Sequence, residues 1–368
     1  MTADRPEMRP PALETGPLGW ARKNLFASWG DTALTLVALY LAGYVLWVFI
    51  DWALLSAVFV GKDGSACQKD GTGACWPFIV HKMGTFMYGR YPEAERWRID
   101  LTYVLAVAGL LPLMLPRVPG KLWLSLYVLV AFPILAYVLL TGGILGLAPV
   151  ATEYWGGLML TLVVATVGIT ASFPIGILLA LGRRSKLPFV RYASIGFIEF
   201  VRGVPLITML FMASVMLPLF LPENVTFDKL LRALIGVALF SAAYLAEVIR
   251  GGLQAIPRGQ FEAADALGLS YPQKMTFIVL PQALKLVIPG IVNSFIALFK
   301  DTSLVLIIGL FDLLGIVQQA IQSDSNWFSH STAATGYFFA GFVFWIFCFG
   351  MSRYSAYIER RLGAGDRR

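Results

Sequence analysis

Apolar residues in this chain run in long unbroken windows, and the polar residues gather between them rather than alternating with them. A helix rises about 1.5 Å per residue, so about 20 apolar residues cross the hydrocarbon of a bilayer. The windows predict helices near 32–50, 100–116, 121–141, 152–182, 193–220, 230–251, 285–312 and 334–352. The expected fold is all-α: a polytopic membrane protein with about eight transmembrane helices.

Composition agrees, with 58% hydrophobic and only 14% charged residues. Soluble domains carry roughly a quarter charged residues. The spans leave no room for a separate catalytic lobe. A net charge of +7 does not read as a nucleic-acid footprint, because no basic stripe is interleaved with aromatic residues. The cations sit in short connections instead. Arg22, Lys23, Arg117, Lys121, Arg183, Arg184, Lys186, Arg191, Arg250, Arg258, Lys274 and Lys285 fall on one side, joined by Arg353, Arg360 and Arg361. The connections 142–151 and 313–333 hold no Lys or Arg, and 221–229 holds only Lys229. Positive charge is retained inside, which predicts both termini in the cytoplasm. Residues 1–31 form a polar tail without a short apolar leader, so the first span is expected to stay as an anchor. A second cytoplasmic tail is expected at 362–368.

The long connection 51–99 departs from the charge pattern, since its basic residues are offset by Asp51, Asp63, Asp70, Glu93 and Glu95. It also carries Cys67 and Cys75 in a Gly-rich stretch placed outside the cytoplasm. These two can close a short disulfide, or stand as free thiols in a surface loop. His81 and His330 are far apart, and no metal-ligand spacing occurs. Cys348 lies in the last window as a packing residue.

The most specific signal is the connection from Arg250 to Lys285, too long for a simple turn. Pro257 and Gly259 punctuate its start. Gln260 to Leu267 is rich in helix formers, and Gly268 is placed as a left-handed C-cap. Ser270 with Gln273 has the spacing of a capping box for a second short helix, which Pro281 is expected to stop at Leu280. Phe261, Ala264 and Leu267 recur at threes, with Ala263 small and Glu262 and Asp265 charged. Such a face suits a groove on a partner protein, or equally the inner membrane surface.

Glu262, Ala263, Ala264, Gly268, Ile278, Leu280 and Pro281 match the EAA loop of ABC-importer permeases, with the same gap after the glycine. EFVRGVPL from Glu199, AYLAEVIRGGL from Ala243 and NSFIALFKDTSL from Asn293 resemble recurrent segments of the polar-amino-acid branch of that family. The resemblance covers 151–361, a five-span type I importer core whose EAA loop spans 251–284. It implies that Glu262, Ala263, Ala264 and Gly268 couple to a cytoplasmic ATPase dimer, which would hold the ATP and Mg. It also implies a second permease subunit, a related but different chain, and a periplasmic amino-acid-binding protein. The stretch 32–150, with three spans and its long loop, is similar to the extended M-type subunit of general L-amino-acid transporters.

Charges inside apolar windows are expensive, about 2.5 to 3.5 kcal/mol each at mid-span, and need partners. Glu199, Arg202, Glu247, Lys300 and Asp301 are of this kind. Glu199 and Arg202, three apart, can pair on one helix face. Counting from the inner boundary puts Arg202 roughly 16 Å deep and Lys300 roughly 22 Å deep. A zwitterionic amino acid needs a cation and a carboxylate, so these residues and Asn293 are candidates for a substrate pathway or gate. The alternative is structural pairing that fixes helix packing. Pro174, Pro205 and Pro289 are expected to kink the spans.

No GxxxxGK[ST], GxSxG or HExxH pattern occurs. The chain is therefore not expected to bind ATP, hold a cofactor or act as an enzyme. Two other classes remain: an ion-coupled secondary carrier acting alone, for which the long loop has no purpose, and a membrane enzyme or assembly factor.

Overall fold

The computed structural model describes residues 16–115, 117–220, 222 and 227–363. The ends of both expected tails lie outside these residues. Helices follow in the order α1 Pro17–Leu25, α2 Trp29–Leu55, α3 Trp76–Tyr88, α4 Trp97–Met114, α5 Lys121–Thr141, α6 Gly157–Arg183, α7 Pro188–Gly203 and α8 Leu206–Phe220. They continue with α9 Lys229–Ala255, α10 Arg258–Ala266, α11 Tyr271–Ile308, α12 Leu313–Ser323 and α13 His330–Gly363. Among the described residues seven helices are long and apolar enough to cross a membrane, or eight when α7 and α8 count as one bent span.

That bend corrects the single helix expected over 193–220. The two halves meet at 106°. Pro205 cannot donate a backbone hydrogen bond and clashes with a helical residue before it, so Val204 turns extended (φ −109°, ψ 136°). A second correction concerns Pro281, which does not stop a helix. The π-helical turn Met275–Val279 precedes it, and the proline falls in the first turn of the α-helical stretch that follows. Helix α11 therefore runs through as one element of 38 residues. Pro174 and Pro289 likewise lie inside continuous helices. The connections at 51–99 and 313–333 are not bare loops, since they contain α3 and α12.

The chain divides into two compact units, one ending at Phe78 and including 326–335, the other holding 79–325 and the chain from Gly336. In the first unit, Trp29–Ile50 buries no residue against protein. Ser28 caps this helix by accepting from the Asp31 N–H. Cys67 and Cys75 form a disulfide, and both are buried. The stapled loop is held by hydroxyls: Ser331 donates to the Cys67 carbonyl at 2.8 Å, and Thr335 accepts from the Cys75 N–H at 2.8 Å.

In the second unit, α9 is the hub, with 56% of its apolar window buried. Its neighbours approach closely because small residues line the seams. A Cβ on Gly176 of α6 would lie 2.9 Å from Leu245, and one on Gly252 would lie 2.6 Å from the Ala283 carbonyl. Lipid offers no hydrophobic drive for helix pairing, so close van der Waals contact of this kind is what associates helices in a bilayer. Ala233, Val237, Met159, Val164, Leu298 and Phe299 fill one cluster around α9. Ala180, Ile198, Ile249, Leu253 and Val279 fill another.

Candidate functional site: the elbow and the charge cluster

Helix α9 ends at Ala255, and Pro257 opens α10. Helix α10 closes with a Schellman turn: the Leu269 N–H reaches the Ala264 carbonyl and the Gly268 N–H reaches the Asp265 carbonyl. Gly268 has φ +71°, and a Cβ there would meet nothing within 4 Å. Only the backbone conformation demands glycine at this position. Ser270 and Gln273 then form the capping box that starts α11. An ion pair between Lys274 and Asp265 ties α10 to the start of α11. Gln282 also donates to Gln260 at 3.1 Å. The result is a braced elbow.

Its faces differ from the expected triad. Ala264 is fully buried, and Phe261 is half-buried and packs on the cluster that holds Leu253, Ile256, Met275 and Val279. Leu267 alone of the three faces outward, 75% exposed. It sits at the C-cap, where φ −79° and ψ 2° leave the helical track and turn its side chain off the inner stripe. The outward surface is Glu262, Ala263, Leu267 and Gly268, with Tyr271 and Phe277 beyond. Ala264 therefore seats the elbow on its own bundle.

Above the elbow lies a knot of charges. Glu247 of α9 is only 14% exposed; it accepts hydrogen bonds from two arginines and forms an ion pair with a third. Arg183 at the end of α6 donates to its Oε1 at 3.0 Å, and Arg250 donates to Oε2 at 2.7 Å. Arg202 of α7 stands 3.5 Å from the same Oε2, its guanidinium also over the Tyr244 ring. Glu199 pairs with Arg183 at 2.9 Å. The expected Glu199–Arg202 pair is thus replaced: each residue has a partner from another helix. Three cations facing two carboxylates leave the knot with a surplus positive charge.

Asn293, Lys300 and Asp301 are not part of this knot. Leu286, Pro289, Asn293, Ala297 and Lys300 are all exposed and recur at threes and fours, so they form one stripe along α11. Asp301 is half-buried. Among the described residues no ion pair reaches Lys300 or Asp301. Past the end of α11, Asp312 caps α12 by accepting from the Gly315 N–H at 2.9 Å, while its other oxygen is buried without a partner. Burial pushes its carboxyl up to about 6.

Arg183 and Arg250 were not picked out by sequence reasoning, because both lie at the ends of apolar windows and read as topology markers. The signal available was the three-residue spacing of Glu247 and Arg250. Among the described residues no cluster of metal-ligating side chains occurs.

Residues 172–364 match the model of a protein family described as binding-protein-dependent transport system inner membrane component. The chain belongs to this family. The permease is 52% identical over 346 residues to the inner membrane amino-acid ABC transporter permease protein YhdY of Escherichia coli, covering 94% of this chain and 93% of that one. It is 40% identical to the glutamate/glutamine/aspartate/asparagine transport system permease protein BztC of Rhodobacter capsulatus, covering 98% and 96%. A crystal structure of an amino acid ABC transporter with histidines shares 28% identity and a TM-score of 0.48 over 56% of the permease and 92% of its own chain. The permease is a multi-pass inner membrane subunit of an ABC importer, and nothing in these likenesses favours a carrier driven by an ion gradient. A permease of this family implies an ATPase on a separate chain, a binding protein and a second permease.

Proposed function

We infer that this permease carries amino acids inward across the inner membrane, with the elbow at 251–284 as the contact for an ATPase dimer. The reading is carried by the near full-length likeness to YhdY and BztC, both named for amino-acid transport. In it, Glu262, Ala263 and Gly268 meet the ATPase, Ala264 seats the elbow from inside, and ATP with Mg is bound by the partner. Both termini lie in the cytoplasm, as the distribution of Lys and Arg supports. The five-span core is 151–361. The extension 32–150 marks an extended M-type subunit that pairs with a related but different permease chain and receives substrate from a periplasmic amino-acid-binding protein.

The substrate path follows the uncovered stripe of α11 with Asn293 and Lys300, bordered by Asp301. Glu199, Arg202 and Glu247 act as the gate. A stripe that carries a cation and an amide with no protein cover needs an occupant other than lipid, because a bare charge in hydrocarbon is unfavourable. Lys300 supplies the cation that a substrate carboxylate needs.

Uptake of radiolabelled amino acids by the complex in vesicles tests the reading. ATP-dependent uptake that requires the binding protein is expected. Lys300→Ala is expected to raise the apparent KM about tenfold or more. Uptake driven by a proton or sodium gradient in the absence of ATP would refute the reading, and an unchanged KM for Lys300→Ala would remove that residue from the path.

A further inference from the structure

Two consecutive arginines at the end of α6 reach in different directions. Arg183 joins the charge knot through Glu199 and Glu247. Arg184 donates to the Leu253 carbonyl at 2.9 Å, near the end of α9, and its guanidinium lies over the Phe261 ring at 5.6 Å. Phe261 belongs to α10 and packs on the inner side of the elbow. A line of contacts therefore runs from the elbow through Phe261 and Arg184, across one peptide bond to Arg183, and on to Glu247. At Glu247 it meets α7 and α9 together.

We propose that the Arg183–Arg184 pair is the relay through which displacement of the elbow moves the junction of α6, α7 and α9. Arg184 is a positioning residue that reads the elbow, and Arg183 is the arm that shifts the knot. The chemistry suits the task. A guanidinium is planar and rigid, so it can stack on an aromatic ring while its edge donates to a carbonyl, which an ammonium cannot do together. The peptide that joins them is anchored at the C-cap of a 27-residue helix, where the Arg184 N–H donates to the Leu181 carbonyl at 3.0 Å, so their backbones move together. In the knot, Arg202 has the longest contact with Glu247 and is more exposed than Arg183 or Arg250. Pulling Arg183 away from Glu247 therefore shifts that carboxylate toward Arg250 and Arg202, and changes how firmly α7 is held to α9. This inference depends on the reading of the elbow as the ATPase contact.

The test measures amino-acid uptake per ATP hydrolysed by the purified complex in vesicles, with the amount of co-purified ATPase as a separate readout. Arg184→Ala, Arg184→Lys and Phe261→Ala are each expected to leave the ATPase attached and hydrolysing, while uptake per ATP falls about fivefold to tenfold. Arg184→Lys retains the charge and assembles even where the alanine variant does not, so its loss of coupling identifies the stacked plane. Combining Arg184→Ala with Phe261→Ala is expected to add nothing further, because both break the same contact. Wild-type coupling in Arg184→Lys and Phe261→Ala overturns the relay. Loss of the attached ATPase in those variants also overturns it, since Arg184 would then only support the elbow's shape. A Gly268→Val control that keeps both attachment and uptake would show instead that the elbow is not the ATPase contact.

Discussion

Helices α9 and α11 lie in the same compact unit, and each carries charge within an apolar window, yet they treat it in opposite ways. In α9, Glu247 is surrounded by Arg183, Arg202 and Arg250, and the chain satisfies its own charge. In α11, Lys300 and Asp301 have no ion pair among the described residues, and Asn293 and Lys300 stand on an uncovered stripe. Hydropathy does not distinguish the two, since both helices are apolar enough to cross a membrane and nearly equally so. What differs is burial, 56% of the window in α9 against 22% in α11. A charge paired within one chain holds a fold together, whereas a charge left on an open face is kept for something that arrives from outside the chain.

The comparison breaks most visibly at Glu247. Replacing it with Ala leaves three guanidinium groups around an empty position, and loss of one partner from a buried ion pair destabilises by about 3 to 5 kcal/mol. The expected outcome is a large fall in the apparent melting temperature of the detergent-purified permease, or failure to accumulate in the membrane. Next in size is Gly268→Val. Holding a branched residue in the left-handed region costs about 1 to 2 kcal/mol, and the cost falls on the Schellman turn alone, because no side chain crowds the site. Detached ATPase on purification is the expected sign, with the bundle still folded.

Smaller again is the pH response of Asp312. Its carboxyl, pushed up to about 6 from 3.8, binds a proton more readily in the folded state. Between these values the native chain holds more protons than the unfolded one, so this group's contribution to stability is full below pH 4 and is lost as pH rises through 6. Asp312→Asn keeps a good helix cap and is expected to flatten the melting temperature measured between pH 4.5 and 7. The smallest effect on stability belongs to Lys300→Ala, expected within about 0.5 kcal/mol of wild type. A clear loss of stability there would mean that α11 uses Lys300 structurally after all, and the contrast with α9 would dissolve.

Much of the fold was legible because lipid imposes a simple rule of length and polarity, and every expected window corresponds to a helix or, for 193–220, a bent pair. The elbow was legible for a local reason: Gly268, Ser270 and Gln273 act through contacts a few residues apart, which spacing alone reveals. Pairing across helices was not. Arg183 and Glu247 are 64 positions apart, and nothing in either segment says that α6 and α9 meet at that height. The outward face of α10 was misjudged for a related reason, since periodicity finds an apolar stripe but not which neighbour covers it. Pro281 was misread because a stop and a tolerated proline differ only in the hydrogen-bond pattern of the turn before it.

That turn, Met275–Val279, winds wider than its surroundings. One extra residue in a turn offsets the angular phase of everything beyond it by about 100°. The compass bearing of Asn293 and Lys300 is therefore set by a single surplus residue next to the elbow. Deleting one residue there would swing those side chains about a quarter turn around the helix axis while leaving every one of them in the protein.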